Sequence, residues 1–188
     1  NDTPKLSADR LEYSLSNALF TYRLLDLASI KEIYDDIEIQ TNEEKEIELG
    51  FKTKKCARSF VKTTSRLSII YREDRTRYSM QLIADILKRL NDENKISKKD
   101  LYELKESEVI DIIESSKYGD IFNIWKNAKK VKTSKEKPQN VYYVHHGAKI
   151  RYIDPLSNGK RISKCCKLAK EMIENNLSYN MDNYVYLD

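Results

Sequence analysis

The segment SMQLIADILKRL (residues 79–90) decides the fold class that we expect for this chain. Its apolar residues recur at steps of three and four: Met80, Ile83, Leu87 and Leu90, with Leu82 and Ile86 beside them. This spacing puts apolar side chains on one face of an α-helix, because the helix turns once every 3.6 residues. The segment therefore predicts an amphipathic helix packed against a core.

The same periodicity extends over the first two thirds of the chain and predicts helical runs at 11–33 and 60–71. The pattern changes near Pro138. Residues 141–153 are rich in β-branched and aromatic residues and predict a hairpin, and 184–187 predict a last short strand. The expected fold is mainly α: a helical, bundle-like body with a small antiparallel β-hairpin or sheet near the C-terminus.

The composition narrows the class of protein. The chain has 188 residues, 34 Lys and Arg against 30 Asp and Glu, and only four Gly and three Pro. So few turn formers exclude an all-β sandwich, and the absence of a long apolar run excludes a membrane helix. Three cysteines, two of them adjacent, form no disulfide framework and favour the reducing cytoplasm.

The domain boundaries follow from changes in composition. We expect a helical region over 1–130, a lysine-rich linker over 131–140, and a small α+β appendage over 141–188 made of a hairpin, a helix and a short strand. The chain begins with Asn1 and lacks an initiator Met, so we expect a fragment of a longer protein.

The opening segment PKLSADRLEYSLSNAL (4–19) contains the candidate site. Asp9, Tyr13 and Asn17 are spaced four residues apart, which places them on one face of a helix. Arg10 follows Asp9 directly. A polar stripe of this kind is ordinarily a solvent-facing surface, so the spacing alone does not assign a function.

This segment resembles the last metal-ligand helix of the HD-superfamily metal-dependent phosphohydrolases, including the deoxynucleoside triphosphate triphosphohydrolase-like branch. The family pattern is approximately Asp-(Arg/Lys)-x-Asp-Tyr-x-x-Arg-Asp. Three residues match it: Asp9, Arg10 and Tyr13. Glu12 is a conservative change, and Ser16 and Asn17 replace the Arg-Asp pair. Residues 71–87 are similar to the family's downstream helix, and KIRYIDPL (149–156) is similar to its Lys-x-Arg-x-x-Asp-Pro-Leu segment.

The resemblance implies roles for individual residues. Asp9 would be a metal ligand for a divalent ion. The implied substrate-binding residues are Arg10, Tyr13, Asn17, Arg72, Arg77 and Tyr78. The substrate would be a nucleotide or another phosphate ester, and residues 1–130 would be the helical C-terminal part of an HD-type domain.

The family's His and His-Asp ligands precede the position of Asp9, whereas the two histidines of this chain are His145 and His146. The resemblance therefore implies ligands upstream of residue 1, and a hydrolase fragment that is inactive or nearly so by itself. We leave the metal, the substrate, the deoxynucleotide specificity and the oligomeric state open, with a homo-oligomer among the alternatives.

Two alternatives rest on charge. Residues 52–77 hold nine basic residues and two acids, and Arg58, Lys62 and Arg66 recur every four residues. A helix with this face would bind nucleic acid through its phosphates, or serve as a protein-interaction module. Alternatively, the same residues would neutralise the acidic segment 31–48 through surface ion pairs, which requires no binding function. A zinc site at His145, His146, Cys165 and Cys166 is disfavoured because adjacent residues point apart.

Overall fold

The computed structural model describes residues 3–187 and confirms the predicted class: mainly α, with a few short strands near the C-terminus and elsewhere. The helices are α1 (Ala8–Ser16), α2 (Leu27–Asp35), α3 (Lys54–Ile70), α4 (Asp74–Asp92), α5 (Asp100–Glu103), α6 (Glu106–Glu114), α7 (Gly119–Asn127), α8 (Ile162–Cys165) and α9 (Lys167–Leu177). The strands are β1 (Ile37–Thr41), β2 (Ile47–Phe51), β3 (Lys132–Ser134), β4 (Tyr143–Val144), β5 (Leu156–Ser157), β6 (Lys160–Arg161) and β7 (Tyr184–Tyr186).

The chain folds into two compact units, and both are discontinuous in sequence. Unit 1 comprises Asn1–Tyr71 and Lys149–Asn180, and unit 2 comprises Arg72–Ala148 and Met181–Asp188. This division differs from the one that composition predicts at 131–140. The lysine-rich stretch contains β3, which pairs with β7, so backbone hydrogen bonds tie the predicted linker into unit 2.

Unit 1 is built around α3. Its apolar face, which includes Phe60 and Val61, packs in one core with Leu11 and Leu15 of α1 and Ile173 of α9. A four-stranded sheet of order β1-β2-β5-β6 completes the unit. Strands β2 and β5 are parallel, and the other two pairs are antiparallel.

The single helical run predicted for 11–33 is interrupted. After α1 the chain forms a π-helical turn (Asn17–Thr21), and Arg23 adopts a positive φ of 51°. Asp26 then starts α2 by accepting a hydrogen bond from the Ser29 backbone N–H at 2.8 Å. The side-chain periodicity continues across this break, which is why the sequence pattern does not reveal it.

The hairpin β1–β2 lies in the acidic segment, where no strand is predicted. Its inward residues include Gln40 and Glu48, whereas Ile39 and Ile47 are exposed. Gln40 donates to the Phe51 carbonyl at 2.9 Å and accepts from the Gly159 N–H at 2.7 Å. The polarity is therefore inverted relative to an ordinary half-buried strand, and the polar inward groups are satisfied by hydrogen bonds.

A buried ion pair joins β6 to β2. Arg161 donates from Nη1 and Nη2 to the two carboxylate oxygens of Glu48 at 2.7 and 2.8 Å, and both side chains are less than 5% exposed, at 4% and 3%. The Arg161 Nε donates to both carboxylate oxygens of Glu43 at 2.9 and 3.1 Å. Glu48 also accepts the Leu6 backbone N–H at 2.9 Å and the Asn42 side-chain amide at 3.2 Å.

These contacts set the charge state of the pair. Burial alone would raise the pKa of Glu48, but hydrogen bonds from Arg161, Leu6 and Asn42 outweigh it and hold the pKa below its usual value. Burial would likewise lower the pKa of Arg161, and the two glutamates raise it instead. Both groups are therefore ionised near neutral pH.

Unit 2 is built around α4, the helix that the opening segment predicts. Its buried line consists of Tyr78, Leu82, Ile86 and Leu90, whereas Met80 is 68% exposed. The helix is thus confirmed, but its core face is rotated toward Leu82 and Ile86. The second sheet has the order β3-β7-β4 and is fully antiparallel.

The hairpin predicted over 141–153 does not form as such. Only Tyr143 and Val144 are in a strand, and they pair with β7 instead of with residues after Gly147. Residues from Lys149 onward belong to unit 1. The β-rich composition of 141–153 therefore reflects two separate environments.

Leu82→Ala and Met80→Ala test the orientation of α4. Leu82 is 1% exposed, so its truncation leaves a cavity, and we expect the free energy of unfolding to fall by about 2–5 kcal/mol. Met80→Ala on the same helix should change it by less than about 1 kcal/mol. Urea denaturation followed by circular dichroism measures both, and a larger loss for Met80→Ala would contradict the observed face.

Glu48→Gln tests the buried ion pair. Removing this charge leaves Arg161 buried with only part of its partners, so we expect a loss of about 3 kcal/mol in the free energy of unfolding near pH 7. Glu44→Gln is the matched control, because Glu44 lies nearby but is exposed and pairs with Lys5 at the surface. It should have little effect.

The pH dependence follows from the lowered pKa of Glu48. The stabilisation from this carboxylate is fully present above its ordinary pKa of 4.5 and is lost as pH falls through the lower folded pKa. The difference between the wild type and Glu48→Gln should therefore shrink as the pH falls below about 4.5. A difference that stays constant over that range would rule out an ionised Glu48 in the folded state.

Candidate functional site

The segment that resembles the metal-ligand helix folds as α1. Ser7 caps it by accepting the Arg10 backbone N–H at 3.3 Å, and Asp9 lies exposed in the first turn. An acid in that position is stabilised by the positive end of the helix dipole. The predicted helical spacing of Asp9 and Tyr13 is therefore present.

Arg10 is 8% exposed and holds the chain that enters α1. Its Nη1 donates to the Lys5 carbonyl at 3.1 Å, and its Nη2 contacts the Thr3 hydroxyl at 3.4 Å. These contacts give Arg10 a structural role in unit 1. The phosphate contact that the resemblance implies for it stays a prediction.

Tyr13 and Asn17 lie further along the same stretch. The Asn17 Oδ1 accepts the Thr21 hydroxyl at 3.2 Å inside the π-helical turn. Tyr13 is half-buried near Tyr71, whose ring meets Tyr22 edge-on with the centroids 5.9 Å apart. The pKa of the Tyr71 phenol is raised, mainly by burial and to a smaller extent by the nearby phenols of Tyr22 and Tyr13. An aromatic cluster of unit 1 thus lies next to the polar stripe.

The third resembling segment, 149–156, contacts the entry to α1. The Asp154 backbone N–H donates to the Pro4 carbonyl at 3.0 Å. The Asp154 carboxylate accepts the Ser163 backbone N–H at 2.9 Å and the Ser163 hydroxyl at 2.5 Å, which fixes the start of α8. The Asp154 carbonyl also accepts from Arg161 at 3.0 Å.

The remaining predicted substrate residues, Arg72, Arg77 and Tyr78, belong to unit 2 and are all buried. Arg77 pairs with Asp74 one turn earlier, and its Nη1 donates to the His146 carbonyl. Burial raises the pKa of Tyr78 to about 12, and its ring packs edge-on against Tyr142 at 5.7 Å. These contacts stabilise unit 2, and the substrate contacts stay predictions.

The potential metal ligands of this chain are its His, Cys, Asp and Glu side chains. Within residues 3–187, no group of three or more His, Cys, Asp or Glu side chains is positioned to hold a metal ion. Asp9 is one carboxylate, which is too few ligands for a resident ion. The described residues therefore do not fit a complete metal centre, and the ligand role of Asp9 stays a prediction.

The basic stretch 52–77 divides into two parts. Arg58, Lys62 and Arg66 lie exposed on α3 at four-residue spacing, as the helical periodicity predicts. Arg72 and Arg77 are 2% exposed, so they do not extend that basic face. The face available to a phosphate backbone is thus shorter than the sequence suggests.

Sequence reasoning missed the residues that organise unit 1. Glu48 and Arg161 are separated by 113 positions, and neither belongs to a recognisable motif. The one available signal is Glu48, an acid at an inward-facing position of a stretch with alternating polarity. A buried carboxylate requires a charged or hydrogen-bonding partner, so its position indicates that a partner lies elsewhere in the chain.

Comparisons with known proteins give no family: no protein-family model, no curated protein and no solved structure matches this chain. Among the described helices, none is long and apolar enough to cross a membrane.

Proposed function

We propose that unit 1 contributes part of the active site of an HD-type, metal-dependent phosphohydrolase that acts on a nucleotide or another phosphate ester. In this proposal the chain is the C-terminal portion of the enzyme, and sequence upstream supplies the His and His-Asp ligands. The isolated chain is then inactive or nearly so.

The observation that carries the proposal is the contact between two of the resembling segments. The Asp154 backbone N–H donates a hydrogen bond to the Pro4 carbonyl, and Leu6 and Ile153 both pack in the core of unit 1. The two segments lie about 140 residues apart in sequence, from 4–19 to 149–156. Neither match by itself requires the other segment to be nearby. Their contact therefore supports the interpretation that both segments resemble parts of the same family fold.

Asp9 is suited to the role of a contributed ligand. It is exposed at the start of a helix whose N-terminus is fixed by Ser7, and Arg10 ties the preceding residues to that helix. A divalent ion, when bound, polarises a phosphoryl group and lowers the pKa of bound water. Arg10, Tyr13 and Asn17 would then contact the phosphate, the sugar or the base.

The compartment and assembly belong to the same proposal. Cys56, Cys165 and Cys166 are free thiols, which fits a reducing cytoplasm. We leave open whether the enzyme is a homo-oligomer.

The test compares this chain with the protein that includes its upstream sequence. With Mn²⁺ and a panel of nucleotides and aryl phosphates, we expect negligible hydrolysis by the chain alone and clear hydrolysis by the longer protein. Asp9→Asn in the longer protein should lower turnover by about 100-fold or more, because one metal ligand is lost.

Asp120→Asn is the matched control, because Asp120 is also an exposed acid in the first turn of a helix. It should leave turnover unchanged. The proposal fails if the upstream sequence lacks a His followed by a His-Asp pair. It also fails if this chain alone shows robust Mn²⁺-dependent hydrolysis that Asp9→Asn abolishes.

A second candidate function is favoured by the exposed face of α3. Arg58, Lys62 and Arg66 would contact successive phosphates of a duplex, which makes binding sensitive to salt. Three such contacts predict a loss of affinity of about 40-fold between about 50 and 200 mM salt.

Fluorescence anisotropy with a labelled DNA duplex tests this candidate. Arg58→Glu/Lys62→Glu should weaken duplex binding by at least about tenfold, since two attractive charges become repulsive. Lys98→Glu/Lys99→Glu, an exposed adjacent pair in unit 2, makes the same charge change and should have a smaller effect. Absence of duplex binding at low salt would exclude this function.

A further inference from the structure

The outer face of the three-stranded sheet in unit 2 carries aromatic side chains. Val144 and Val185 are buried in the core, at 2% and 0% exposed, and are paired across the strands. Because side chains alternate along a strand, their neighbours point to the opposite face. These neighbours form what we call the aromatic face: Tyr143, His145, Tyr184 and Tyr186.

The rings of this face contact one another. Tyr184 stacks on His145 with centroids 4.0 Å apart and an interplanar angle of 16°. Tyr143 meets Tyr184 edge-on at 5.5 Å. The His145 Nε2 lies 3.0 Å from Asp182, yet the His145 side chain keeps 37% of its surface exposed. The three tyrosines are each partly exposed, so the face is only half covered.

Lysines border the aromatic face. Residues 126–137 hold six lysines and one glutamate, and β3 within that stretch places Lys132 directly opposite Tyr186. The Lys137 ammonium lies 5.4 Å from the centroid of the Tyr143 ring. Lys129 and Lys130 are exposed just before β3. The acids nearby are Glu136 and Asp182, and the latter also accepts through its carbonyl from Lys135 at 2.8 Å.

Rings and ammonium groups on one sheet face are suited to a particular ligand. A nucleobase stacks on an aromatic side chain, while the adjoining phosphates are attracted by lysines. The bases of a duplex are already stacked and paired, so they are available to such a face only in a single strand. We propose that the aromatic face of unit 2 binds single-stranded nucleic acid.

This inference is independent of the proposed phosphohydrolase site. None of the residues of the aromatic face is among the predicted metal or substrate residues. It also differs from the α3 candidate, which belongs to unit 1 and consists of three basic side chains without aromatic ones.

The test measures anisotropy of labelled single-stranded 12-mers, oligo-dT and oligo-U, with the full chain. At about 50 mM salt we expect a Kd of about 10 μM or tighter, weakening by about 50-fold at about 200 mM if four lysines contact phosphate. Comparing the two probes shows whether the ligand is DNA or RNA; tighter binding of either supports the proposal.

Three variants separate stacking from charge. Tyr184→Leu removes the ring and should weaken binding by about tenfold, whereas Tyr184→Phe keeps it and should stay within about twofold of the wild type. Lys129→Glu/Lys130→Glu should weaken binding by at least about tenfold. The control Lys98→Glu/Lys99→Glu should have a clearly smaller effect, and Arg58→Glu/Lys62→Glu should leave single-strand binding within about twofold.

Several results would overturn the proposal, provided that circular dichroism shows each variant to be folded. These are no binding of either probe by the wild type at low salt, and a loss with Tyr184→Phe as large as that with Tyr184→Leu. Equal losses for the Lys98/Lys99 and Lys129/Lys130 pairs would also overturn it, because binding would then depend on net charge alone.

Discussion

Unit 1 depends on the buried pair between Arg161 and Glu48. Through this pair and its hydrogen bonds, four stretches of chain meet: the entry to α1 at Leu6, the hairpin β1–β2, the Asp154 carbonyl and β6. Removing two charges from water is costly, and the cost is offset only because the carboxylate and guanidinium find several partners. Apolar side chains alone would allow these stretches to slide, whereas a bidentate pair defines one register.

The pair also shows why part of the fold was hidden from sequence reasoning. Helices α3 and α4 are local, so their apolar periodicity predicts them. The turn before α5 is local as well: Ser97 and Asp100 form reciprocal hydrogen bonds at 2.7 and 3.1 Å. The hairpin β1–β2 places Gln40 and Glu48 inward and Ile39 and Ile47 outward. The inward Gln40 and Glu48 side chains are satisfied by hydrogen bonds from Gly159 and Arg161, which lie more than 100 positions later in the chain.

The candidate site divides in the same way. The helical spacing of Asp9 and Tyr13 follows from a few neighbouring residues and is present in α1. The burial of Arg77 follows from Asp74 and from a carbonyl 69 positions away, which no local pattern announces. Charged residues beside aromatic ones thus predict an exposed ligand contact or a buried structural contact equally well, and tertiary structure decides between them.

The interleaved order of the two units has a consequence for the newly made chain. The middle strand of the unit 2 sheet is β7, whose residues follow all of the unit 1 sequence. During synthesis, helices α4 to α7 emerge early, but β3 and β4 have no strand to pair with until residues 184–186 leave the ribosome. Strand β3, which lies in the lysine-rich stretch, and strand β4 therefore remain unpaired edges until then, a state in which the positive charge of the lysine-rich stretch opposes self-association.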